Sequence, residues 1–190
     1  MENKTRLVYG HGINDANFPV SRGLRMIPSY RRWVNMLNRC YSERYQRDRP
    51  NYFDCSVCED WLRFSCFHEW YELAPKNKGD HLDKDILVPG NRIYAPHLCA
   101  FVPPGLNTFL NDTGSKRGNR LIGARQVPYG FSASCGNPFS KKNEYLGYFK
   151  TEEEAHLAWK KKKHEHACRW ASRITDPRVA DAIKKRFSGD

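Results

Sequence analysis

The sequence predicts an α+β fold in three successive parts: an N-terminal helical region, a strand–strand–helix core, and a three-stranded antiparallel sheet packed on one helix. Three observations predict it. Apolar residues recur at helical spacing in Tyr30, Trp33, Val34, Leu37 and Tyr41, and again from Trp61 to Tyr71. Two apolar runs then flank Pro89-Gly90-Asn91 ahead of Pro103-Pro104, and three short strand-like runs precede Thr151-Glu152-Glu153-Glu154, which has the form of a capping box.

Taken in order, residues 1–22 contain Gly10, Gly12, Asn14, Asp15, Asn17 and Pro19 without sustained periodicity, so they read as an irregular arm. The first helix runs from Ser29 with Arg31, Arg32, Asn35, Asn38 and Arg39 off its apolar face, and ends before Pro50. The second carries Trp61, Leu62, Phe64, Phe67, Trp70 and Tyr71 as core residues and stops at residues 74–79. A strand over residues 81–88 turns at Pro89-Gly90-Asn91, returns through residues 92–102, and enters a helix whose first turn tolerates proline. A polar linker occupies residues 111–120. Strands are expected at residues 121–127, 129–135 and 145–149. In the helix after Thr151, Ala155, Ala158, Trp159 and the stem of Lys162 form the inner face, with Lys160, Lys161 and Lys163 outside; residues 176–187 add a short helix. The domain reading is therefore an arm and helical region at 1–78, the strand–strand–helix core at 79–112, the sheet domain at 118–170 and a tail helix at 171–190.

The chain has 190 residues, 28% of them charged and 13% aromatic, a composition that packs one moderate core or two small ones. No apolar run reaches the roughly 18 residues needed to span a bilayer, and the first residues lack a signal-peptide apolar region. A cytoplasmic location with no membrane partner is expected. The formal charge is +11, and it is unevenly spread: residues 1–50 carry ten Lys/Arg against four Asp/Glu, residues 51–80 three against six, and residues 81–110 two against two. Residues 111–150 carry seven against two and residues 151–190 ten against seven, so the basic excess lies toward both ends of the chain, a distribution suited to a polyanion gripped on either flank.

Seven cysteines are an odd number in a chain of this type, which argues against a disulfide framework. Cys55 and Cys58 have the spacing of a zinc half-site, but a second pair with that spacing is missing, and the neighbouring Phe53, Val57, Trp61, Phe64 and Phe67 favour buried thiols. Structural zinc is not expected.

Residues 123–134 read Gly-Ala-Arg-Gln-Val-Pro-Tyr-Gly-Phe-Ser-Ala-Ser, and residues 145–159 read Tyr-Leu-Gly-Tyr-Phe-Lys-Thr-Glu-Glu-Glu-Ala-His-Leu-Ala-Trp. Over about 45 residues this segment resembles the DNA-binding domain of the plant ethylene-response factors, also found in phage homing endonucleases. The resemblance implies a three-stranded sheet in the DNA major groove with a helix behind it. It places Arg125, Gln126, Tyr129 and Tyr145 at DNA contact positions, with Lys141 and Lys142 beside them. Val127 stands where the family has Arg, and Ser132 where it has Trp.

The segment Leu82-Asp83-Lys84-Asp85, with Cys99-Ala100-Phe101-Val102 and Asn107, resembles the HNH, or ββα-metal, nucleases, and the whole chain resembles tailed-phage HNH proteins that carry the appended sheet domain. The resemblance implies one Mg²⁺ or other divalent ion held by Asp83 and Asn107, with Lys84 in the place of the general-base histidine. Lysine has a reference pKa near 10.4, so three outcomes stand: Lys84 is the base, Lys84 stabilises phosphate charge while His81 or His97 activates water, or the site is weak. The implied function is a phage endonuclease acting on double-stranded DNA in the infected bacterial cytoplasm. The alternative is an inactive HNH-fold DNA-binding protein in phage regulation or counter-defence. A homodimer is compatible with either.

Overall fold

The computed structural model describes residues 7–110 and 120–188. The chain is mixed α and β with small sheets, and it divides into two units, Met1–Pro75 with Leu82–Phe101, and Lys76–His81 with Val102–Asp190. Of the polar linker read at residues 111–120, residues 111–119 lie outside the described residues. No helix among those described is long and apolar enough to cross a membrane.

The first unit is built on α1 (Pro28–Tyr41), which starts with proline at its first position, where the missing N–H costs nothing. Trp33, Met36, Leu37 and Cys40 recur at the helical period and are all buried. They meet Trp61, Phe64 and Phe67, and each large apolar side chain so removed from water contributes about 1.5–3 kcal/mol. The indole N–H of Trp33 donates to the Trp61 carbonyl at 2.7 Å, so the polar atom inside this core is satisfied.

Three differences from the sequence reading each have a physical cause. The first helical stretch ends before Pro50, as expected, but it is interrupted. It breaks at Ser42, whose hydroxyl accepts from the Tyr45 amide at 3.3 Å and so starts α2 (Glu43–Asp48). The second stretch is split into α3 (Glu59–Leu62) and α4 (Phe64–Leu73) because the N-terminal arm inserts there: Ile13 donates to the Leu62 carbonyl at 2.8 Å and accepts from Phe64 at 2.9 Å, bridging Arg63 in parallel. From residue 7 onward the arm is therefore structured, and it leads into a small hairpin of β1 (Ser21–Arg22) and β2 (Arg25–Met26).

The third difference concerns the predicted long hairpin. Strand β4 covers only His81–Asp83, and the chain then turns instead of continuing to residue 88. The return segment is two strands with different partners. β5 (Ile93–Tyr94) lies parallel to β3 (Ser56–Val57), whereas β6 (Ala100–Val102) pairs with β4. Val57 and Tyr94 are both buried, so this parallel pairing was favoured by their common burial and could not be read from neighbouring sequence.

In the second unit, α5 (Pro104–Leu110) is followed by β7 (Ala124–Val127), β8 (Gly130–Gly136) and β9 (Asn143–Phe149), an antiparallel sheet in the order 7-8-9. The expected capping box opens α6 (Glu152–Ala171): the Thr151 hydroxyl accepts from the Glu154 amide at 3.1 Å, and the Glu154 carboxylate accepts from the Thr151 amide at 3.3 Å. Asp176 caps α7 (Pro177–Phe187), whose Val179, Ile183 and Phe187 are buried.

The inner stripe of α6 is Ala155, Trp159, Lys163, Ala167 and Ala171, a strict four-residue repeat. Lys163 is thus inside and Lys162 outside, the reverse of the sequence reading. The Lys163 ammonium donates to the Phe109 carbonyl at 2.6 Å and lies 4.1 Å from the Phe109 ring centre, and Lys162 pairs on the surface with Glu165. A lysine stem is apolar enough to follow the stripe once its charged end finds an acceptor. Two histidines of this helix are held by the fold: the His156 ring nitrogen lies 2.8 Å from the Ile122 carbonyl, and His166 is buried 3.1 Å from the Glu144 carboxylate.

Candidate nucleic-acid interface

Strand alternation sorts the residues of the 7-8-9 sheet onto two faces. Ala133 and Cys135 are buried, so they mark the side covered by α6. The register puts Ala124, Gln126, Phe131, Glu144, Gly147 and Phe149 on that side too. The opposite face holds Arg125 beside Ser132, Val127 beside Gly130, Ser132 beside Tyr148, and Ser134 beside Tyr145.

Tyr145 and Tyr148 are three residues apart, and in an unbroken strand they would point to opposite faces. The register between β8 and β9 shifts at Ala133/Ser134, so that Leu146 is an extra residue and both tyrosines come out on the uncovered face. Gly147 adopts φ +133° at this bulge, a backbone conformation that side chains disfavour. Tyr145 is 71% exposed and Tyr148 51%. At the β7–β8 turn Tyr129, with φ +65°, is 98% exposed.

The loop carrying Lys141 and Lys142 is organised by Asn137. Its side-chain oxygen accepts from the amides of Phe139 at 2.8 Å and Ser140 at 3.0 Å, and its side-chain nitrogen donates to Glu144 at 2.7 Å. Backbone bonds between Asn137 and Lys142 at 2.8 Å, and between Lys141 and Asn137 at 3.0 Å, close the loop and leave both lysines exposed. The Asn137 bond chiefly, helped by His166, holds the Glu144 carboxyl below the usual glutamate range.

Of the residues that the sequence nominated for DNA contact, Arg125 and Tyr145 therefore lie on the uncovered face, and Tyr129, Lys141 and Lys142 at its ends. Gln126 is placed by its register on the other side, where it accepts a hydrogen bond from Arg120. Tyr148 and Asn137 were missed. The bulge that exposes Tyr148 leaves no mark in a period-two reading, whereas Gly136-Asn137-Pro138 was a recognisable turn signal. Val127 and Ser132, which stand in place of Arg and Trp, both fall on the uncovered face.

The Asp83–Asp85 segment in the first unit is a closed local network. Oδ1 of Asp83 accepts from the amides of Asp85 at 2.8 Å and Ile86 at 2.7 Å, which turns the chain directly after β4. Burial pushes the Asp83 carboxyl above the usual aspartate range, against the two amides that pull it down. Lys84 is only 7% exposed, and its ammonium donates to the Asp85 carboxylate at 2.7 Å and to the Asn91 carbonyl at 2.6 Å. Asn91 returns a bond to the Lys84 carbonyl at 2.8 Å and donates to Ile93 at 2.7 Å. Nearby, burial drives the Cys40 and Cys99 thiols up to about 12, so both are neutral at physiological pH.

His97 lies exposed in the turn before β6 in this same unit, while His81 and the half-buried Asn107 of α5 belong to the second unit. Among the described residues no three His, Cys, Asp or Glu side chains cluster as a metal site.

Comparison with known proteins bears on the chain in part. Over 62 residues, 29% of its length, it is 48% identical to ethylene-responsive transcription factor ERF117 of Arabidopsis thaliana. The matched stretch spans 19% of that relative's length. No family model matches the chain, and no solved structure matches it. What the comparisons establish is a partial similarity to a plant transcription factor.

Proposed function

We propose that this chain binds double-stranded DNA through the uncovered face of the 7-8-9 sheet. The carrying observation is the bulge at Gly147, which brings Tyr145 and Tyr148 onto the face that holds Arg125, with Lys141 and Lys142 at its edge. A face of exposed aromatics and cations has little value to a solvated sheet and suits a duplex whose phosphates position it and whose base edges meet the rings. The similarity to a transcription factor supports DNA as that polyanion. With Val127 and Ser132 on this face where the resemblance has Arg and Trp, few side chains reach base edges, so discrimination among sequences is expected to be small. The test is fluorescence anisotropy on a 30-bp duplex. Arg125→Ala combined with Tyr145→Ala weakens binding by about 10-fold or more, the scale of about 1–3 kcal/mol for a base contact, while Leu157→Ala on the outer side of α6 leaves it unchanged. Equal affinity of both variants for the duplex sinks the proposal.

The finer reading is a metal-dependent endonuclease of the HNH type. Its support is the element order β4, β6, α5 and the environment of Asp83: Oδ1 is committed to two amides, whereas Oδ2 has no hydrogen bond among the described residues and is the oxygen that would ligate a divalent ion. Asn107 is the other ligand the resemblance implies. Bound Mg²⁺ would supply electrostatic stabilisation of the phosphate undergoing attack. Two of the three ammonium protons of Lys84 are committed to Asp85 and Asn91, which favours a positioning role for Lys84 and leaves water activation to His97 or His81. Plasmid nicking with Mg²⁺ or Mn²⁺ decides it: cleavage lost in both Asp83→Ala and Asn107→Ala supports the endonuclease. Duplex binding with no metal-dependent cleavage leaves a DNA-binding protein of regulation or counter-defence.

A further inference from the structure

The β1–β2 hairpin is a second basic feature, and the sheet does not explain it. Its register pairs Arg22 directly with Arg25 across a two-residue loop, Gly23-Leu24, with Gly23 at φ +56°. Directly opposed like charges on a hairpin are destabilising, and neither arginine has an acidic partner among the described residues. Ser21, Arg22, Arg25 and Met26 are all exposed, and Leu24 at the tip is fully exposed. The hairpin is nevertheless anchored. The Ile27 amide donates to the Val20 carbonyl at 2.9 Å, and Val20 and Ile27 pack against the first unit's core, so the tip projects from a fixed base. Ile27 then caps α1, where Arg31 is exposed one turn further on.

Two guanidinium groups on one side of a narrow projection, with an aliphatic side chain between them at the tip, match one partner chemistry well. The minor groove of duplex DNA is about 6 Å wide, too narrow for a helix but open to the tip of a two-residue loop. Its negative potential deepens where A·T tracts narrow it, which favours inserted arginine, and apolar side chains there act as wedges between base steps. Resting on the reading that the chain binds DNA, we infer that the Arg22-Gly23-Leu24-Arg25 tip is a separate minor-groove contact, made by the first unit. In this contact Arg22 and Arg25 supply charge and Leu24 partly unstacks one base step. The repulsion between the two arginines is relieved on binding, so the hairpin's own sequence is better adapted to the complex than to the free chain.

The full chain is titrated against a 30-bp duplex with a central A·T tract carrying 2-aminopurine, at several salt concentrations. Arg22→Ala/Arg25→Ala is expected to lower the slope of log affinity against log salt by about 2, because about 0.9 counterion is released per neutralised phosphate, and to weaken binding by at least about 10-fold at physiological salt. Leu24→Ala keeps that slope and loses the 2-aminopurine fluorescence rise, and netropsin competes with the wild type more strongly than with the double arginine variant. All three positions are solvent-exposed, so unchanged melting temperatures confirm that the fold is intact. If the double variant binds with wild-type affinity and slope, the hairpin contact is refuted while duplex binding stands. Wild-type chain that fails to bind the duplex removes both readings. Sedimentation with vesicles of anionic phospholipid that depends on Leu24, with DNA binding unaltered, assigns the tip to a membrane surface and overturns the inference.

Discussion

Gly123→Ala tests how tightly the 7-8-9 sheet is seated on its helix. Gly123 has φ +83°, and a Cβ built there falls 2.0 Å from Cγ, 2.3 Å from Cβ and 2.4 Å from Cδ1 of Trp159. Because one obstacle is the Trp159 Cβ, rotating the indole cannot relieve the clash, and the strand must move away from α6. The left-handed backbone costs a non-glycine residue about 1–2 kcal/mol, and overpacking at such a site costs about 1–3 kcal/mol, for a total of about 2–5 kcal/mol. That is a large part of the roughly 5–15 kcal/mol that holds a domain together. Gly147→Ala serves as control: its φ is +133°, but the nearest atoms to a built Cβ lie 3.4 and 3.5 Å away, so it carries only the backbone cost, about 1–3 kcal/mol. Urea unfolding of chain labelled with 5-fluorotryptophan, followed by the ¹⁹F resonance of Trp159, reads this unit alone. A loss below about 1 kcal/mol for Gly123→Ala, or one no larger than that of Gly147→Ala, refutes the reasoning.

Lys163→Met keeps the buried stem and removes the donor to the Phe109 carbonyl, so it is expected to cost about 1–3 kcal/mol, the scale of a buried acceptor left unpaired; the shift in thermal midpoint measures it, and a stabilised variant contradicts the placement of the ammonium. Burial alone would raise the Asp176 carboxyl, but bonds from the Arg178 guanidinium and amide outweigh it and hold the group below the ordinary value of 3.8. Since the folded pKa is the lower one, the stabilisation is present above 3.8 and lost as the pH falls through the folded value, so wild type and Asp176→Ala differ by about 1–2 kcal/mol at neutral pH and converge in acid urea titrations.

The parts of this protein whose causes are local were legible in its amino-acid sequence. The apolar period of α1, the capping box of α6 and the three strands with their turns depend on residues within a few positions of one another, and they stand where the pattern put them. Arg125 and Tyr145, nominated from the resemblance, both stand on the uncovered face of the sheet. Tertiary structure decided whatever depended on distant partners. Ile13 splits a continuous helical pattern because a segment some 50 residues away offers backbone groups that compete with the helix's own. Ile93–Tyr94 pairs with Ser56–Val57, and Lys163 turns inward because Phe109 supplies an acceptor. Likewise Lys84, nominated from its neighbours as a reactive group, is held by Asn91, seven residues on, and only the folded loop assigns two of its protons. In each case burial and hydrogen-bond satisfaction are properties of the assembled neighbourhood, and a one-dimensional period carries no information about which distant atom will complete it.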